Sequence, residues 1–68
     1  MMTQKDRILR YLQDNGSITP MDAVRMGIMR LAPRIMELRI DGFQITSELV
    51  DGKNEYGRYH YAKYTLEG

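Results

Sequence analysis

Apolar residues in the first forty positions recur at three- and four-residue spacing, whereas those after residue 43 alternate. The chain therefore predicts helices up to about Asp41 and strands from about Phe43. Ile8, Leu9 and Leu12 form the stripe of a first helix, with Tyr11 at its edge and Lys5, Arg7, Arg10 and Asp14 on much of the rest. Thr3 opens this helix with Asp6 three residues on, an approximate capping box. Asn15-Gly16 supplies the left-handed residue that commonly ends a helix.

Ser17-Ile18 is too short to stand alone as a strand but can pair at a sheet edge. Thr19-Pro20-Met21-Asp22 is a strong helix start. Thr19 caps, Pro20 stands where its missing N–H costs nothing, and Asp22 faces the positive end of the dipole. Ala23, Val24 and Met26 are expected to face inward and Gly27 to stop this short helix. A third helix runs from about Arg30 to Asp41. Leu31, Ile35 and Leu38 are its buried stripe, and Arg30, Arg34, Glu37 and Asp41 are expected on the opposite side. Pro33 fits if it falls in the first turn, where amides lack intrahelical partners, which puts the start between Arg30 and Ala32. Gly42 is the stop.

Beyond it, Phe43, Ile45 and Leu49 fall on one face of a strand. The return strand, Arg58 to Leu66, places Ala62, Tyr64 and Leu66 inward and Tyr59, Tyr61, Lys63 and Thr65 outward. About seven polar residues between Val50 and Arg58 predict a long projecting tip rather than a tight turn.

Composition narrows the chemistry. Sixty-eight residues make one domain, 1–68, which buries only about 60% of its unfolded surface. No Cys is present, so disulfides, thiolate zinc sites and Cys nucleophiles are excluded, and one His rules out a His-based metal cluster within the chain. The six Met read as core filler and edge cover, not as a cofactor site. No apolar run approaches the ~18 residues of a membrane span, and MMTQKDRILR has no signal-peptide core, so a cytoplasmic protein is expected. A Gly-rich phosphate loop and a visible acid/base pair are also missing. His60 reads as a half-exposed strand residue, so neither an enzyme nor a cofactor is expected.

Helix, glycine turn, helix and hairpin make a helix-turn-helix unit, whose second helix enters the DNA major groove with its N-terminal residues. Here those are Arg30, Pro33 and Arg34, with Glu37 a turn later; Met29 can meet a thymine methyl. The net charge of +1 hides a pattern. Residues 25–39 carry +3, residues 41–52 carry −3, and residues 53–64 carry +2. Phosphate contacts need local Lys and Arg, whatever the total. The same residues admit a plainer reading, in which Glu37 simply pairs with Arg34 on a solvated face and the tyrosines pack across strands.

The run Ser17-Ile18-Thr19-Pro20, the stretch from Gly27 to Arg39, Gly42-Phe43, Lys53-Asn54-Glu55-Tyr56-Gly57 and Ala62 to Leu66 together resemble a small winged helix-turn-helix family common in phage and prophage genomes. Pro33 stands where a helix former such as Ala is expected. The resemblance implies an α+β fold of three helices and a hairpin wing. It places Arg30, Pro33, Arg34 and Glu37 on a recognition helix and Lys53, Asn54, Tyr56 and Arg58 on the wing. The reading is a phage-derived double-stranded DNA binder acting in transcriptional control or recombination, with no catalysis, small-molecule substrate or membrane partner. Lys5, Arg7 or helix amides are further phosphate candidates, and a homodimer or co-bound partner would raise affinity. Two alternatives stay open: a protein-interaction module such as a phage inhibitor of a host protein, using exposed Met29, Met36 and Tyr residues, and a single-strand binder stacking bases on Tyr56, Tyr59 and Tyr61.

Overall fold

A computed structural model describes residues 2–67. The elements run α1 (Gln4–Asn15), β1 (Ser17–Ile18), α2 (Pro20–Arg25), α3 (Leu31–Ile40), β2 (Ile45–Asn54) and β3 (Gly57–Leu66). Two helices begin as their sequences dictate. In α1 the Asp6 amide donates to Thr3 Oγ1 (3.1 Å) and the Thr3 amide donates back to the Asp6 carboxylate (3.2 Å). Thr19 and Asp22 repeat this box at α2, at 3.3 and 3.0 Å, with Pro20 in the first turn. Each box satisfies two donors that a helix start otherwise leaves bare.

The three strands form one antiparallel sheet in the order β1-β3-β2. Ser17 and Ile18 pair with Thr65 and Tyr64, so the two-residue segment is the edge strand that its sequence allowed. The core collects one or more aliphatic side chains from nearly every element: Ile8, Leu12, Ile18, Ala23, Ile28, Leu31, Ile35, Leu38 and Ile45. Tyr64 and Leu66 of β3 pack partly against it. Val24 does not join them. It follows Ala23 by one residue, hence about 100° around the helix, and stands half-exposed.

The hairpin runs well past this core. From the Ile45–Leu66 pair to the Lys53–Arg58 pair the ladder spans roughly 26 Å, at about 3.3 Å per residue. The molecule is accordingly elongated, 38 × 24 × 20 Å. Leu49 shows the consequence. Its parity matches that of Ile45, as expected, but it lies outside the core cluster and is exposed rather than buried.

Candidate nucleic-acid interface

The turn between α2 and α3 is built from its end caps. The Gly27 amide donates to the Val24 carbonyl (2.9 Å) and the Ile28 amide to the Ala23 carbonyl (2.8 Å). With Gly27 at φ 78° this is a Schellman motif, and Ala23 and Ile28, both fully buried, supply its hydrophobic contact. Ile28 thereby pins the turn to the core while Met29 and Arg30 beside it face solvent. Arg30 is the N-cap residue of α3, without a side-chain cap bond. Pro33 is the third helical residue, so its missing N–H forfeits no intrahelical bond.

The faces of α3 differ from expectation. Leu31, Ile35 and Leu38 are buried as expected, but Arg34 and Asp41 stand at the flank of this stripe instead of opposite it, with Glu37 farther out. At 100° per residue Arg34 stands only about 60° from the centre of the buried stripe. Its side chain is 34% exposed, and its guanidinium forms an ion pair with the Glu37 carboxylate at 3.1 Å, while Nε is buried without a partner. Asp41 accepts from Lys5 of α1 at 2.7 Å. This acidic and basic row therefore lines the seam with α1. What points away from the core is apolar: Ala32, Pro33, Met36 (55% exposed) and Ile40 (78%), preceded by Met29 (80%). Met29, Met36 and Met21 are thus not core filler; Met26 alone of this group packs on the core. Met29, Arg30, Ala32 and Pro33 also border a cleft of about 440 Å³ with Pro20, Val24 and Tyr64.

The wing tip is tighter than the seven-residue loop expected. Asp51, Gly52 and Lys53 continue the ladder, and Asn54 pairs with Gly57, leaving only Glu55-Tyr56 as the turn. The Asn54 side-chain oxygen accepts from the Tyr56 amide at 2.9 Å, an Asx turn, and Gly57 takes φ 125°. Tyr56 consequently stands 89% exposed at the tip. Lys53 and Arg58 face each other across the ladder, with the same parity as Ser47–Tyr64. They therefore belong to the sheet face from which Tyr64 lines the cleft at the start of α3. Tyr59 and Tyr61 are on the other face, ring centroids 6.0 Å apart, and Tyr59 covers Gly52, where any Cβ would collide with its ring. His60 Nδ1 lies 2.6 Å from Asp51 Oδ1 directly across the strands, both side chains exposed.

A family model described as a winged helix-turn-helix domain matches residues 3–68. The chain belongs to the winged helix-turn-helix family. Membership suggests DNA binding in general, and such domains are typically non-enzymatic modules. No curated protein and no solved structure matches the chain significantly.

Several cations of this winged helix-turn-helix domain are occupied within the fold. The Arg7 guanidinium donates to the Met26 carbonyl at the end of α2 (2.6 Å), and Lys5 is held by Asp41, so neither is free to clamp phosphate as sequence alone suggested. Arg39 Nε donates to the Ile45 carbonyl (2.9 Å), tying α3 to the start of the wing. Arg30, Lys53 and Arg58 have no ion pair or side-chain hydrogen bond among the described residues. No described helix is long and apolar enough to cross a membrane. Sequence reasoning exposed Met29 and Met36 only in the protein-interaction alternative and missed Ile40. The signal was available, because counting 100° steps from Leu31, Ile35 and Leu38 puts Ile40 almost directly opposite the buried stripe.

Proposed function

We propose that this winged helix-turn-helix chain binds double-stranded DNA, with α3 in the major groove and the wing on the adjacent groove or backbone. The observation that carries this reading is the placement of Lys53 and Arg58 on the sheet face that borders the start of α3, where Arg30 also stands unpaired. A polyanion laid across that side meets cations at both ends of the surface. In this proposal Arg30 and Pro33 sit at the groove-entering end of α3, and Lys53, Asn54, Tyr56 and Arg58 form the wing contact. Arg34 and Glu37, ion-paired with one another, act as a unit at the flank of the helix instead of as separate base readers. The role is that of a phage-type regulator or recombination accessory factor. Titrating the ¹⁵N-labelled chain with duplex DNA at low salt tests it. Amide shifts should move at Met29 to Met36 and Lys53 to Arg58; unchanged spectra at those residues would sink the proposal.

The apolar outer face of α3 favours one second reading, a protein-interaction module. It predicts no duplex binding at low salt, together with shift changes at Met29, Met36 and Ile40 when a protein ligand is added.

A further inference from the structure

The exposed side chains on the outer surface of α3 are mainly apolar, with Glu37 at their margin held in an ion pair with Arg34. Ala32, Pro33, Met36 and Ile40 fill it, Met29 extends it into the turn, and all five are exposed. The helix's own polar groups are turned aside: Arg34 to Glu37, Arg39 to the Ile45 carbonyl, and Asp41 to Lys5. Arg30, at the N-cap, is the only unpaired cation at this helix among the described residues. Of the groups displayed in the major groove, the C5-methyl of thymine is the apolar one; the other edges are donors and acceptors that would lose water against Met and Ile.

Resting on the DNA-binding reading above, we infer that α3 recognises thymine methyl groups, so that the preferred site is a short A·T-rich run with Arg30 at its edge. The occupant is fixed by charge. The apolar arc has the unpaired Arg30 beside it, and Lys53 and Arg58 stand unpaired on the wing, on the sheet face that carries Tyr64, which suits a polyanion presenting methyl groups. From Ala32 to Ile40 the arc is roughly 12 Å long at about 1.5 Å per residue, which matches three to four base pairs at about 3.4 Å each. One buried methyl contributes about a fourfold change in affinity.

The test compares four duplexes of equal length by fluorescence anisotropy at fixed salt: A·T-rich, the same with deoxyuridine for thymidine, G·C-rich, and G·C-rich with 5-methylcytosine for cytosine. Tighter binding to the thymidine duplex is expected, with a loss of about fourfold per contacted methyl in deoxyuridine and a gain on adding 5-methylcytosine. Met36→Ala and Ile40→Ala, both at exposed positions, should shrink the thymidine-to-deoxyuridine ratio while leaving the salt dependence unchanged. Equal binding of the thymidine and deoxyuridine duplexes would overturn the methyl reading and leave the DNA-binding reading standing. Absence of binding to all four would overturn both.

Discussion

Salt dependence gives the sharpest measure of the proposed DNA contact. Arg30, Lys53 and Arg58 are the cations that the proposal places against phosphate, and none is engaged by another described side chain. Each phosphate neutralised on a duplex contributes about −0.9 to the slope of log affinity against log salt, so three contacts give about −2.7. Raising salt from about 50 to 200 mM should then weaken binding about 40-fold. The Lys53→Ala/Arg58→Ala double variant should leave a slope of about −0.9, and only about a 3.5-fold loss over the same range. Arg10→Gln is the control, because Arg10 lies on α1 beside Asp14 (3.8 Å) and makes no proposed contact. It should keep the parent slope. Anisotropy of a labelled duplex across this salt range reads the slopes directly. A parent slope shallower than about −1, or one that survives the double substitution, would refute the assignment of these cations to phosphate.

Three further expectations concern the scaffold. Gly42 ends α3 at φ 106°, with nothing within 4 Å of an added Cβ, so Gly42→Ala meets backbone strain alone and should cost about 1 kcal/mol, lowering Tm by about 4–8 °C in a thermal melt. Ile28→Ala empties a fully buried position under the helix-turn-helix turn and should cost about 2–5 kcal/mol, a large part of the roughly 3–10 kcal/mol expected for a chain of this length; urea unfolding measures it. The Asp41 carboxylate, by hydrogen bond and charge, holds the Lys5 ammonium above its ordinary pKa of 10.5. That contribution is complete below 10.5 and lost as pH rises through the raised folded value, so urea midpoints should fall less on alkalinisation in Asp41→Asn than in the parent.

What the sequence made legible was local. Thr3 with Asp6, and Thr19 with Pro20 and Asp22, specify helix starts within four residues, and the boxes form as the spacing demands. Gly27 and Gly42 specify stops for the same reason, and both close Schellman motifs. Strand parity was also legible, since Tyr64 and Leu66 do pack inward, but the extent of the core along the hairpin was not, and Leu49 lies outside it. Asn54 shortened the tip because its side chain bonds the Tyr56 amide, a competition that alternation of apolar residues does not reveal. Contacts between distant positions were the least legible. Arg7 reaches the Met26 carbonyl and Lys5 reaches Asp41, pairings fixed by how α1 packs and not by any neighbouring residue.

The near-neutral total charge is spread unevenly over those contacts. Of ten Lys and Arg, Lys5, Arg7, Arg10, Arg25, Arg34 and Arg39 each meet a carboxylate or carbonyl within the fold. Asp6 and Asp22 are spent on helix caps, and Asp14, Glu37 and Asp41 on ion pairs. Four of the nine acidic residues, Asp14, Asp22, Glu37 and Asp41, thus sit beside a Lys or Arg of the scaffold. Arg30, Lys53, Arg58 and Lys63 remain unpaired among the described residues; Arg30 borders the cleft at the start of α3, and Lys53 and Arg58 stand near the wing tip on the sheet face that carries Tyr64. The Lys and Arg residues serve scaffold and interface alike, so total charge reports on both together. Separated by contact, the interface share is positive while the sum stays close to zero. This is why binding to duplex is expected to be weak for one copy, steep in salt, and dependent on the apolar face of α3 for its choice of sequence.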